Sequence, residues 1–354
     1  LRKLLLLLLV FSLTGSTLSA NAANYTRRSG KLIATKLLQT QKTRTKTSTT
    51  TTSTNTNTAT PVASNGSISP GNLESLFMQA WDPFWMNPIP SGASYHSFKA
   101  PTDTQPGLHA KYIRMDLNYS VPVTYAMPKV TLYGAGSWSN RSSGKVIMGQ
   151  THLNPNFVLP DAANGDTPNN PTIILNTDNR TAFYLNAATR PTPGGDIWAY
   201  VSSPKQCTHG GSGTSGGEIT LGDLQRGQIN HAIGINVWGK KYLSKLDGGF
   251  VFPADRADSG YRDQASHDYY GGSIPDLKMG THLAIPPSLT AQKLGIQSRE
   301  GQILFEAFKR YGVYVVDNSA WDALYLQTSP EVEASLMAQQ EDISRLFAAL
   351  QIVK

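Results

Sequence analysis

The sequence predicts an all-β fold, a β-sandwich of jelly-roll type with a few accessory helices and a helix at its C-terminus. Three observations predict it. Between Pro101 and Thr328, short apolar or alternating runs are broken by Gly, Pro, Asn and Asp at intervals of about eight to twelve residues. Long helical periodicity is absent from that stretch. Two turn signals, Asp178-Asn179 and Asp247-Gly248-Gly249, stand where hairpin connections would fall.

Taken in order, residues 1–22 read as a secretory leader. Arg2 and Lys3 precede an apolar run from Leu4 to Phe11, and Ala20-Asn21-Ala22 offers the small residues a signal peptidase accepts. A run of roughly ten apolar residues is half of what a bilayer-spanning helix needs. The expected location is extracellular, cell-surface or periplasmic, with no transmembrane segment. Residues 23–70 form a basic, then Thr-rich, linker whose composition buries too little apolar surface to repay ordering.

Residues 71–328 make the predicted sandwich domain, with strands expected at Val121–Tyr125, Lys129–Tyr133, Thr172–Leu175, Thr181–Leu185, Ile197–Val201, Ile229–Val237 and Val313–Val316. Arg299 to Tyr311 places Ile303, Leu304, Ala307, Phe308 and Tyr311 on one face. Ser298 is its N-cap candidate and Gly312 its stop. Residues 329–354 are the C-terminal helix, opened by Ser329-Pro330-Glu331 and striped by Val332, Leu336, Ile343, Phe347 and Leu350.

Composition excludes some function classes. The formal charge of +7 invites nucleic acid, but nine of the 31 Lys and Arg precede residue 60 and none of the 24 acids does. The remaining 22 basic residues against 24 acidic ones give no electrostatic footprint for a polyanion. The one cysteine, Cys207, rules out an internal disulfide framework, so burial must hold the core together.

Chemistry-bearing residues concentrate between Cys207 and Tyr270. His209 heads the loop His209-Gly210-Gly211-Ser212-Gly213-Thr214-Ser215-Gly216-Gly217, whose glycines let backbone amides approach a ligand. Gly213 to Gly217 also satisfies G-x-S-x-G. The strand-like Glu218-Ile219-Thr220-Leu221 that follows is the wrong context for a nucleophile elbow. Cys207, two residues from His209, raises thiol catalysis. His231 shares the apolar face of an alternating run, as a satisfied core histidine or as a base at the floor of a cleft.

Downstream, Asp255, Arg256, Asp258, His267, Asp268, Tyr269 and Tyr270 combine the residue types that polysaccharide enzymes use. Hydrolysis needs two carboxyl groups flanking a glycosidic bond. A lyase acting on uronates needs a His or Tyr base with a cation nearby. The catalytic candidates are His209, His231, Arg256, Asp258 and Tyr270, and the substrate-binding candidates are Ser212, Ser215 and Asp317. No H-E-x-x-H or C-x-x-C spacing occurs, so no metal site and no cofactor is expected, although Asp255, Asp258 and Asp263 are the types a calcium loop would use. Trp81, Trp85, Trp138, Trp198, Trp238 and Trp321 are available as core residues or sugar-stacking platforms.

His209-Gly-Gly-Ser-Gly213, Ile229-Asn-His-Ala-Ile233, Pro253-Ala-Asp-Arg-Ala-Asp258 and Tyr311-Gly-Val-Tyr-Val-Val-Asp317, with Gly216-Gly-Glu-Ile219, Gly222-Asp-Leu224, Met279-Gly280 and Ala284-Ile-Pro-Pro287 between them, resemble a group of secreted bacterial proteins. The resemblance covers about a third of the chain. It implies an extracellular β domain and draws attention to His209, His231, Arg256, Asp258 and Asp317, without giving any of them a role. Cys207 and Glu218 depart from the pattern. The expected function is action on extracellular polysaccharide as a glycoside hydrolase or polysaccharide lyase. The alternative is a non-catalytic carbohydrate-binding, adhesion or structural protein.

Overall fold

The structure, a computed structural model, describes residues 83–135, 138, 140–141, 145–162, 168, 170–175, 182–185, 188–200 and 217–354. The leader, the Thr-rich linker and the Asp178-Asn179 turn lie outside the described residues. Thirteen strands are present: β1 (Tyr95–His96), β2 (Tyr112–Leu117), β3 (Tyr119–Pro122), β4 (Lys129–Ala135), β5 (Val146–His152), β6 (Thr172–Leu175), β7 (Ala182–Leu185), β8 (Ile197–Tyr200), β9 (Ile233–Val237), β10 (His282–Ala284), β11 (Val313–Asn318), β12 (Ala323–Thr328) and β13 (Gln351–Val353). Five α-helices accompany them among the described residues, to which the strand count also refers: α1 (Leu221–Arg226), α2 (Ala291–Leu294), α3 (Arg299–Arg310), α4 (Glu333–Met337) and α5 (Gln340–Ala348).

The expectation of an all-β jelly-roll sandwich is overturned. The fold is mixed α/β with open sheets. One seven-stranded sheet runs in the order β1-β13-β10-β11-β9-β12-β2, and two three-stranded sheets have the orders β3-β6-β7 and β5-β4-β8. The large sheet contains parallel pairs, β9 with β11 and β2 with β12, among antiparallel ones. Strand β9 shows why the alternation misled. Every residue of Ile233-Gly234-Ile235-Asn236-Val237 is buried, as expected for a central strand covered on both faces.

Helices cover one face of the large sheet. Ile303, Leu304, Phe308, Ile343, Leu346 and Phe347 join Ile233, Ile235, Val313, Val315, Leu324 and Leu326 in the main core. Fully burying an aliphatic or aromatic side chain of this kind contributes about 1.5–3 kcal/mol, so this cluster dominates the stability of the domain. The two small sheets share a separate cluster that includes Val121, Val130, Leu132, Leu159, Ile174, Leu185 and Ile197.

Local signals fixed helix α3 as expected. The Ser298 hydroxyl accepts from the Gly301 amide at 2.9 Å, and Gly312 takes the left-handed conformation (φ +74) that ends the segment. Asp342 of α5 then ties the two helices together. Its Oδ2 accepts from the Gln297 and Ser298 amides at 3.1 and 2.8 Å and from the Ser298 hydroxyl at 2.6 Å. Burial opposes its charge, but these donors and Arg345 outweigh burial and hold the carboxyl below the usual range.

The C-terminal segment is not the single helix expected. After a short 3-10 turn (Pro330–Val332) it forms α4 and α5 and then returns as β13, inserted between β1 and β10. Among the described residues no helix is long and apolar enough to cross a membrane.

Candidate active site

The second face of the large sheet carries polar side chains. On β2 the alternation sends Ile113 and Met115 into the core and Tyr112, Arg114 and Asp116 to the opposite face. The same period puts Gly234 and Asn236 of β9, and Tyr325 and Gln327 of β12, on that face. Register does the rest, setting Gln327 against Asp116 and Tyr325 against Asn236. Asp116 Oδ2 accepts from Asn236 Nδ2 at 2.9 Å and from Gln327 Nε2 at 2.7 Å. Gln327 Nε2 also donates to Asn236 Oδ1 at 2.7 Å, and Asn118 donates to Gln327 Oε1.

Gly234 makes room for this network, because a Cβ there would stand 2.7 Å from Gln327 Cγ. All four polar residues are buried. Burial pushes the Asp116 carboxyl up, and the two amide donors only partly oppose it.

At one edge of this face β9 and β11, being parallel, end side by side. A β-bulge between Val315 and Asp317 brings Asp317 opposite Asn236. The loop beyond it is held by Asn318, whose Oδ1 accepts from the Gly239 amide at 2.8 Å and the Ala320 amide at 2.9 Å. Ala320 adopts φ +60, a left-handed conformation uncommon for a residue with a side chain. Asp317 Oδ1 accepts from the Asn318 amide at 2.8 Å.

Asp258 arrives from the long segment after β9. Its Oδ2 accepts from the buried Tyr270 hydroxyl at 2.8 Å, and its amide donates to the same hydroxyl at 3.3 Å. Burial raises the Asp258 carboxyl to about 6. The Tyr270 hydrogen bond pulls it back, the Asp268 charge adds to the rise, and His267 and Arg256 oppose it. Asp317 is held well above the carboxylate range, first by burial, then by the charges of Asp258 and Asp116. The Asp258 charge thus adds to burial in favouring the protonated form of Asp317.

The sequence candidates separate into three sets. Asp258 and Tyr270 are hydrogen-bonded, with Asp317 and Arg256 close enough for their charges to be felt. Arg256 also faces Asp255 at 3.8 Å and is well exposed. His231 belongs elsewhere. It is buried, its Nδ1 donates to the Ala232 carbonyl at 2.7 Å, and its Nε2 lies 3.5 Å from Asp223 Oδ2. Asp223 is in turn the capping-box residue of α1, bonded to Thr220 and Arg226. His231 is thus a core histidine that anchors α1, which corrects its reading as a base in the same cleft. Cys207, His209, Ser212 and Ser215 lie outside the described residues.

Tyr270 also changes role. Burial, followed by the Asp258 charge, drives its phenol upward, so at neutral pH it is a hydrogen-bond donor to Asp258 and no base. Sequence reasoning missed Asp116, Asn118, Asn236 and Gln327. The available signal was the presence of Asn236 and Gln327 inside otherwise apolar strand runs.

Among the described residues no three His, Cys, Asp or Glu side chains gather closely enough to hold a metal ion. The calcium trio considered from sequence is accordingly dispersed. Asp255 is largely exposed, and Asp263 Oδ1 accepts from the Ala265 amide. No family model, curated protein or solved structure matches this chain.

Proposed function

We propose that the protein is a glycoside hydrolase acting on extracellular polysaccharide, with Asp317 as general acid and Asp258 as its ionised partner. The observation that carries this reading is a pair of neighbouring carboxyls that burial pushes upward, Asp258 to about 6 and Asp317 well above the carboxylate range, with the Asp258 charge adding to the rise at Asp317. Glycosidic cleavage needs one carboxylic acid and one carboxylate at the same pH. Asp317 gives its proton to the departing glycosidic oxygen. Asp258 acts from the other side, attacking the sugar carbon or taking a proton from the incoming water. Tyr270 orients the Asp258 carboxylate, and the Arg256 charge favours its ionised form.

Lyase chemistry is the weaker reading, since neither His231 nor Tyr270 is disposed to abstract a proton there. Incubation with a panel of neutral and uronic polysaccharides separates the cases. Release of reducing ends without unsaturated products is expected, with a rate that climbs as pH rises through about 6 and Asp258 ionises. Unsaturated products would instead establish a lyase. Turnover of no polymer in the panel, with retained binding, would establish a non-catalytic carbohydrate-binding protein.

A further inference from the structure

Across β9 and β12 from Asp317, the same sheet face carries an aromatic and cationic platform on β2 and the loop before β12. Trp321 is 40% exposed, and its ring lies 5.0 Å from that of Tyr112 at an interplanar angle of 32°. Its indole N–H is committed to the Tyr325 hydroxyl at 2.8 Å, which fixes the ring plane. The Arg114 guanidinium stands 4.9 Å from the Tyr112 ring centre and 5.9 Å from that of Trp321. The Lys111 ammonium lies 5.1 Å from the Tyr112 ring.

Neither cation has a carboxylate partner within ion-pair distance among the described residues. Arg114 makes one hydrogen bond, from Nη1 to its neighbour's carbonyl, and the Asp322 carboxylate is engaged by the Lys111 backbone amide. Asp116, two residues along β2 from Arg114, has its Oδ2 taken up by Asn236 and Gln327.

The platform and Asp317 lie toward the same end of the sheet, where β11 finishes and β12 and β2 begin. Trp321 lies in the short loop between β11 and β12, whose Ala320 amide is held by Asn318, and Tyr325 is in register with Asn236. An exposed indole ring backed by a tilted aromatic neighbour can stack on the apolar face of a pyranose. Two cations beside Tyr112, one of them also over Trp321, select a ring that bears negative charge, and a planar guanidinium matches a carboxylate in particular.

We infer that Tyr112, Trp321, Arg114 and Lys111 form a subsite for a uronic acid unit of the polymer substrate. This deepens the hydrolase reading and rests on it for the bond that is cleaved. It can be tested without turnover. Binding of a short oligogalacturonate to the inactive Asp258→Asn chain should quench Trp321 fluorescence and weaken steeply with salt. Its methyl ester should bind ~10-fold or more weakly, and a sulfated neutral oligosaccharide should fall between the two.

In that background Arg114→Gln should remove the preference for acid over ester, Arg114→Lys should keep part of it, and Trp321→Ala should weaken both ligands. Circular dichroism reports that each variant is folded, and for the two Arg114 variants the retained ester affinity does so as well. Equal binding of acid and ester, or an Arg114→Gln chain that still prefers the acid, would overturn the subsite. Hydrolysis of neutral polymers alone would also overturn it while leaving the hydrolase reading standing. Acid-selective binding without cleavage of any uronate polymer by the unmodified chain would keep the subsite and remove the hydrolase reading.

Discussion

Asp258→Asn should cost about 10²–10⁴-fold in the rate of polysaccharide hydrolysis at neutral pH and, at the same pH, make the domain more stable. The two effects have one cause. A carboxyl moved by burial from its ordinary 3.8 to about 6 binds its proton more tightly in the folded chain than in the unfolded one. The stability it contributes is complete below the unfolded value near 4 and is lost as pH rises through the folded value near 6.

At pH 7 the full deficit is present, on the order of 1–2 kcal/mol once solvent contact at this half-buried group is discounted. Asparagine keeps the shape and still accepts from the Tyr270 hydroxyl, so the variant should unfold several degrees higher at pH 7 and show no gain at pH 4. Thermal unfolding followed by circular dichroism at the two pH values checks this directly. Equal melting temperatures at pH 7 would mean that the carboxyl is not held in an unfavourable state.

Removing Gln351–Lys354, or placing a charge at Ile352, should abolish cooperative folding. Strand β13 is interior. It pairs with β1 on one side and β10 on the other, and the Ser94 and Lys354 backbones exchange two hydrogen bonds at 3.0 Å. Ile352 is 4% exposed in the main core. Burying an unpaired aspartate there, or exposing the edge of β10, costs several kcal/mol against a total stability of about 5–15. Urea titration of Ile352→Asp should show no two-state transition. A transition like that of the unmodified chain would mean the C-terminal segment is an appendage after all.

Much of the local structure was legible in the sequence. The strands at Lys129, Thr172, Ile197 and Val313 stand where apolar runs placed them. Helix α3 begins at its Ser298 cap and closes at Gly312. The architecture was not legible, because sheet order depends on contacts far apart in the chain. Strand β2 lies beside β12, and the last residues of the chain lie beside the first described strand. A five-residue strand buried on both faces also reads like an alternating one when a glycine and an asparagine occupy the second face, as in β9.

The site was half legible for the same reason. Asp258, Tyr270 and Asp317 were recognisable by residue type, and folding brings them together. Asp116, Asn236 and Gln327 carry no local pattern, and only register makes them a network. His231 was ambiguous on its alternating run until Asp223, the capping residue of α1, supplied a partner that a core histidine needs.

Carbon-detected NMR titration of the aspartate carboxyls is the most direct test of the paired-carboxyl claim. The account predicts that Asp258 titrates near 6, that Asp317 titrates well above the ordinary carboxylate range, and that Asp258→Asn moves Asp317 downward by removing the neighbouring charge. Both carboxyls titrating in the ordinary range near 4, or an Asp317 transition indifferent to Asp258→Asn, would contradict it.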